Sequence, residues 1–444
     1  MAPKPVTATI FAYQVGFGDC FLLRFDYDDD SARHILIDFG TMGLPKDDPT
    51  VTMKRVAEDI AEKCNGELDI VVATHRHADH ISGFETKDGE GSGDIIRKLK
   101  PKRVIQPWTE APDAPEKWEG PEGTDPAKAF AARRQSLEGM NAVAEAVVAR
   151  LDRDGGFDSK WPLAPRLRFI GEDNIKNKSA VKNLMTMAGE TDADKANYLY
   201  VFHGCDLDLE AILPGVKIHV LGPPTLRQTQ TIKKQTPKSA EEFWLRAEAM
   251  LALDADGGPA TARNSMLFPG IGPDDSFRKS RLPAEMRWVA ERVDEAEAEQ
   301  MLGIVTQLDK AMNNTSVILL FEAGGKKLLF PGDAQLENWM YALQSQMAKL
   351  LDDVDLYKVG HHGSLNATPK SMWNRFAKRG EPDKGDRLTS LMSTMAGKHG
   401  GKHGSPTEVP RRPLVDELKA ESNLVNTQDL AKGVPFQKLV FNLR

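Results

Sequence analysis

The chain has 444 residues, 40% hydrophobic and 28% charged, a globular usage with core enough for one large domain or two to three ordinary ones. Its net charge of −7 excludes a bulk nucleic-acid coat, which needs excess Lys and Arg, though not a local basic groove. Three cysteines, Cys20, Cys64 and Cys205, none in a Cys-x-x-Cys pair, exclude a disulfide framework and fit a reducing compartment.

The first residues carry no apolar signal-peptide stretch, and no apolar run approaches the ~20 residues that span a bilayer. A cytoplasmic protein without a membrane span is expected. Thr7 to Val15 is β-rich and stops at Gly16-Phe17-Gly18-Asp19; Phe21 to Phe25 and His34 to Ile37 follow, separated by an acidic turn at Asp28 to Asp30. β-rich runs between turn residues predict a meander over 7–40, ending at Asp38-Phe39-Gly40. Met53, Val56, Ala57, Ile60, Ala61 and Cys64 recur at helical spacing, and Asn65-Gly66 closes that helix. Leu68 to Ala73 reads as a buried strand running into Thr74-His75-Arg76-His77-Ala78-Asp79-His80.

Residues 108–165, rich in Pro, Gly, Ala and charge, read as a surface excursion with one helix. Ser179 to Met187 reads as a helix, and Tyr198 to Phe202 and Val216 to Leu221 as strands. Residues 225–311 are polar and helical, with an amphipathic pattern at Trp288, Val289, Val293, Ala296 and Met301, and are read as an insertion between 1–224 and 312–444. Strands return at Ser316 to Phe321 and Lys327 to Phe330, ending in Pro331-Gly332-Asp333. Leu336, Trp339, Leu343, Met347 and Leu350 predict one long amphipathic helix. Leu356 to Val359 is a strand ending in Gly360-His361-His362-Gly363-Ser364, and a helix near Val415 to Glu421 and a strand near Lys438 to Leu443 close the chain. Strand–helix alternation on both sides of the insertion predicts a layered α/β fold.

Three of the ten histidines fall within six residues beside an aspartate, in His75-x-His77-x-Asp79-His80. Imidazole and carboxylate together suit Zn²⁺, Mn²⁺ or Fe²⁺. A rigid strand delivers the cluster to a strand-end loop, which fixes ligands while leaving their heads open to a cleft. Asp333 and His361 recur in the same setting, each at the end of an apolar strand. His203, His219 and His34 read as structural histidines and the cysteines as small core residues. His399 and His403, in a repeated Lys-His-Gly, read either as a basic substrate-facing loop or as plain surface loop.

With these pieces in order, the sequence resembles the metallo-β-lactamase superfamily. Within it, the chain is similar to the hydrolase domain of ComEC-type DNA-uptake proteins and their free-standing relatives. The resemblance rests on Val15 to Asp19, Ile37 to Gly40, His75 to His80, Val220 to Pro224, Asn314-Thr315-Ser316, Gly332-Asp333 and Lys358 to Ser364. It implies an αββα sandwich holding two divalent ions, Zn or Mn. His75 and His77 would bind the first ion, Asp79 and His80 the second, and Asp333 both; His361, or its neighbour His362, would complete the second site, and Asp38 would orient the cluster from behind. Asn314 stands where the family's third histidine for the first ion is expected, so that site is expected to be the weaker and to accept Mn²⁺. The membrane channel of ComEC proteins is absent, so DNA uptake is not implied.

The function implied is metal-dependent hydrolysis, with a phosphodiester, nucleic acid or nucleotide as the leading substrate class. Asp79, His362, Lys358 and Ser364 are the candidate catalytic residues, Lys358 and Ser364 as holders of a phosphoryl oxygen or the leaving group. Two alternatives stand beside it: a carboxylic or phosphocholine-type ester hydrolase, and a partner-controlled effector, for example of a bacterial defence system, that binds a protein through 225–311.

Overall fold

Strands β1 (Pro5–Tyr13), β2 (Cys20–Tyr27) and β3 (Ala32–Phe39) form an antiparallel meander. Their side chains divide between faces as the pleat demands. Ala8, Ile10, Ala12, Phe21, Leu23, Phe25, Ile35 and Ile37 enter one apolar cluster; Phe11, Tyr13, Cys20, Leu22 and Leu36 enter another. Both faces are buried, which is why the strands read as nearly continuous apolar runs. The computed structural model describes residues 2–46, 48–111, 119–121, 177–233, 242, 313–398 and 408–444. The excursion at 108–165 and the insertion at 225–311 lie almost wholly outside the described residues, as do His399 and His403.

Beyond β3 the sheet continues in parallel with β4 (Ile70–Val72), β5 (Arg103–Pro107) and β6 (Tyr198–Val201). The second sheet repeats the plan. β7 (Lys217–Gly222), β8 (Ile318–Ala323) and β9 (Lys326–Phe330) are antiparallel, and β10 (Leu356–Lys358), β11 (Thr389–Met392) and β12 (Asn423–Asn426) follow in parallel. Gly324 and Gly325 join β8 to β9 with φ of 52° and 73°, the left-handed pair that a two-residue hairpin requires. The last strand, β13 (Phe436–Asn442), returns to pair with β1, giving sheets of seven and six strands.

Helices cover the outer faces. α1 (Met53–Lys63), α3 (Ser92–Lys98) and α4 (Lys178–Leu184) pack Val56, Ile60, Ile96 and Leu184 on the first sheet. The one-turn helix α2 (Ala78–Ile81) belongs to the site described below. α5 (Leu336–Gln344), α6 (Lys370–Trp373) and α7 (Arg412–Glu421) pack Trp339, Trp373, Leu414 and Leu418 on the second sheet. The inner faces meet in a shared core, where Phe21 and Phe330 approach to 5.8 Å between ring centroids. The architecture is α/β, two mixed sheets between helical layers. No helix among the described residues is long and apolar enough to cross a membrane.

Local chemistry accounts for several boundaries. Thr52 Oγ1 accepts from Arg55 N–H at 3.2 Å to start α1, and Asn65 and Gly66, at φ 54° and 81°, stop it. The long helix predicted over Leu336–Leu350 is instead two pieces, α5 and a 3₁₀ stretch Gln346–Leu351. Ser345 breaks it: its Oγ donates to Ala342 O at 2.8 Å and accepts from Met347 N–H at 3.2 Å, offering the backbone an alternative to helix. Strands β5, β11 and β12 and helix α3 were not legible in sequence, being short and without a clear apolar period.

Candidate metal centre

The carboxyl ends of β3, β4, β9 and β10, with the β1–β2 loop, converge on one rim of the sheets. Tight backbone approach makes this possible. A Cβ on Gly40 would overlap the carbonyl of Ala78, and one on Gly332, at φ 54°, would stand 2.6 Å from Thr74 Cβ. Asp38, His361 and His362 also adopt left-handed backbone, at φ 54°, 44° and 53°. Such conformations cost about 1–3 kcal/mol each and persist where surrounding structure imposes them, commonly at functional sites.

Three groups of donor atoms result among the described residues, Asp79–His80–Asp333–His362, His75–His77–Asp79 and, behind them, Asp19–Asp38–His80; within each, one atom per residue lies within 4.8 Å of the others. All eight residues are buried. His80 Nδ1 lies 2.8 Å from Asp38 Oδ2 and donates to it, while Asp38 also accepts from Thr74 N–H at 2.7 Å and Thr74 Oγ1 at 2.8 Å. With Nδ1 so engaged, it is His80 Nε2 that faces Asp333 Oδ2, at 3.1 Å. His362 repeats the arrangement: Nδ1 donates to the Ser393 carbonyl at 2.9 Å, leaving Nε2 facing Asp79 Oδ2 at 3.0 Å.

A lone pair opposite a carboxylate is repulsive unless a cation stands between them. A proton or a metal ion serves, and each imidazole is held in the tautomer a metal needs by its other nitrogen. Asp79 Oδ1, His80 Nε2 and Asp333 Oδ2 are buried yet make no hydrogen bond among the described residues, a costly state that a coordinated ion relieves. Asp333 Oδ2 also looks toward His361 Nε2 at 3.7 Å and His75 Nε2 at 3.9 Å, and its Oδ1 accepts from His361 N–H at 3.1 Å. The donor set, imidazoles plus carboxylates, could hold a metal ion.

Charge follows the same geometry. Burial opposes ionisation of Asp333, but His80 and His361 outweigh it and hold the carboxyl well below the usual range; His80 and His362 do the same for Asp79. Burial disfavours charge on His80 too, yet Asp333, Asp38 and Asp79 raise it well above an ordinary histidine. His75 is driven the other way, well below an ordinary histidine, by burial and then by its imidazole neighbours His80 and His77. Burial pushes Asp38 up against the pull of His80.

Several sequence-predicted residues take other places. His362, not His361, joins the four-residue group; His361 is one-quarter exposed, at 25% of its side chain. Asn314 Nδ2 donates to Ile232 O at 3.2 Å and Glu337 Oε2 at 3.1 Å, and its Oδ1 accepts from Asn338 N–H at 3.2 Å. Lys358 points beneath the site, fully buried and ion-paired with Asp19, rather than outward to a substrate. Ser364 is buried, its N–H donating to His361 O at 2.8 Å and its Oγ to Asn366 Oδ1 at 3.4 Å. His203 bonds the Leu221 carbonyl at 2.7 Å and His219 meets Glu322 at 2.8 Å, both structural partners.

Residues that sequence reasoning passed over complete the site: Asp19, Thr74 and the Ser393 carbonyl, with the Phe17 ring 4.4 Å from His362. The clue to Asp19 was its place after Gly16-Phe17-Gly18, a glycine turn at a strand end. A cavity of about 650 Å³, lined by Arg24, His34, Asp69 and Lys102 among others, opens at the opposite, amino ends of β3–β5, and none of the candidate residues reaches it. The chain matches no protein-family model and no curated protein sequence.

Proposed function

We propose that this protein is a metal-dependent hydrolase of the metallo-β-lactamase type, acting on phosphodiesters. The observation that carries the reading is the opposition of His80 Nε2 to Asp333 Oδ2 and of His362 Nε2 to Asp79 Oδ2, each across about one ion's ligand separation, with His75 and His77 beside them. Two sheets between helical layers, with the donors at the carboxyl ends of the strands, support the fold assignment.

Asp79, His80, Asp333 and His362 would hold one divalent ion, and His75 and His77 with a shared carboxylate a second. Such ions supply Lewis-acid activation of water and of the scissile group. The chain's own residues supply the rest. Asp38 and Ser393 fix the two imidazoles, and the Asp333 carboxylate is anchored through Oδ1 so that Oδ2 stays presented. His361, beside the cluster and partly exposed, is positioned to move a proton at the leaving group.

The phosphodiester class rests on the resemblance of Val15 to Asp19 and Lys358 to Ser364 to the ComEC-type branch. The test is metal analysis of the purified protein joined to a panel of phosphodiester, phosphomonoester, phosphocholine ester, lactone, DNA and RNA substrates. Turnover of phosphodiesters with Zn²⁺ or Mn²⁺ supports the reading; turnover confined to carboxylic or phosphocholine esters transfers it to the ester hydrolases.

A further inference from the structure

Beneath the two metal-facing imidazoles lies a buried ion pair, Asp19–Lys358, contributed by the β1–β2 loop and by β10. Asp19 is 0% and Lys358 1% exposed at the side chain, so neither charge is screened by water. Asp19 sits behind both histidines, with Oδ1 3.6 Å from His362 Nδ1 and Oδ2 3.7 Å from His80 Nδ1. Its backbone ties into the same site: Asp19 N–H donates to Asp79 O at 2.8 Å, and Asp19 O accepts from Gly40 N–H at 3.0 Å. Lys358 Nζ, held against Asp19, is also 4.0 Å from Asp333 Oδ1 and 3.5 Å from Gly332 O.

The lysine is thus a cation within one side-chain adjustment of Asp333, the carboxylate that faces three imidazoles. We infer that Asp19 is a positioning residue that holds Lys358 away from Asp333, so that Asp333 is left to bind a divalent ion. Without the Asp19 charge, the carboxylates left to attract Lys358 are Asp333, 4.0 Å away, and Asp38, of which Asp333 is the nearer. The ammonium then competes with the metal for that carboxylate. Loss of Lys358 has the opposite sign: the Asp19 carboxylate remains behind both imidazoles and strengthens them as ligands, as carboxylates behind metal-bound histidines do. An ion pair that merely stabilised the fold would behave symmetrically, since either single loss leaves one buried charge unpaired.

This inference rests on the metal reading above, and the experiment separates the two. Wild type, Asp19→Asn, Asp19→Ser, Lys358→Met and the Asp19→Asn/Lys358→Met double variant are checked for native circular dichroism, stripped with chelator and titrated with Zn²⁺ against a chromophoric competitor. Expected are a roughly 10–100-fold loss of affinity in both Asp19 variants, the range typical when support behind a ligand is removed; wild-type or tighter binding in Lys358→Met; and recovery in the double variant. Equal weakening in the two single-charge losses, or Zn²⁺ binding unchanged in folded Asp19→Asn, would overturn it. A wild type that binds no Zn²⁺ refutes the metal reading itself.

Discussion

His80 is held from behind by Asp38 at 2.8 Å and presents its other nitrogen to Asp333 at 3.1 Å, so one imidazole links two buried carboxylates. Because Asp38 also caps Thr74 through two hydrogen bonds, it fixes the exit of β4 and the tautomer of His80 together. Asp38→Asn is expected to weaken metal binding by roughly 10–100-fold while the fold is retained. Competitive metal titration with circular dichroism checks this; unchanged affinity would deny Asp38 its orienting role.

The two adjacent histidines are expected to separate cleanly. His362→Ala removes a donor from the four-residue group and should abolish tight binding of the ion proposed for that group. His361→Ala should keep the metal content and lose turnover, because His361 lies outside that group and is partly exposed. Metal content by mass spectrometry, compared with kcat for each variant, decides it. The reverse pattern would exchange their roles.

Asn314→Ala is expected to cost about 1–3 kcal/mol, the penalty for leaving buried partners unsatisfied, because Asn338 N–H at the start of α5 loses its acceptor. Asn314→His should not tighten the weaker metal site. The amide at this position is engaged with Ile232, Glu337 and Asn338. Thermal melting and metal titration on both variants separate stability from affinity, and a tighter site in Asn314→His would restore the ligand reading of this position.

How much of this site could be read in advance follows from distance along the chain. His75 to His80 is a local pattern delivered by one strand, and Asp333 shows itself by a Gly-Asp at a strand end. His362 and Asp79 are 283 positions apart, and which of two neighbouring histidines turns inward depends on left-handed backbone at both. Lys358 read as a holder of a phosphoryl oxygen or the leaving group because its ion-pair partner, Asp19, lies at the far end of the chain in what reads as a glycine turn. The meanders were legible because burial on both faces writes apolar runs. The break at Ser345 was not, since a single hydroxyl overrides a regular period.

The cysteines should be silent in the native protein. Burial pushes the Cys64 and Cys205 thiols up to about 12 and Cys20 well above its ordinary range, and only the thiolate reacts. At pH 8, Ellman's reagent should label none rapidly, and all three after denaturation. Rapid native labelling of even one would show that its burial is not maintained in solution.

Metal affinity should fall as pH falls. In the metal-free protein His80 and His362 are raised by their carboxylate neighbours and hold protons where an ion would sit, so binding must expel them. Calorimetric titration in buffers of differing ionisation enthalpy should report proton release, with the apparent affinity rising toward alkaline pH. A pH-independent affinity without proton release would contradict the opposed lone-pair geometry.

The most direct test of the central claim is thermal unfolding of chelator-stripped wild type and His80→Ala protein, each with and without added Zn²⁺ or Mn²⁺. The wild type should gain about 2.7 kcal/mol at an ion concentration 100-fold above Kd, the mass-action value for one site, while His80→Ala, folded but lacking the imidazole between Asp38 and Asp333, gains little. A wild type that retains no divalent ion and melts identically with and without added metal would contradict the account.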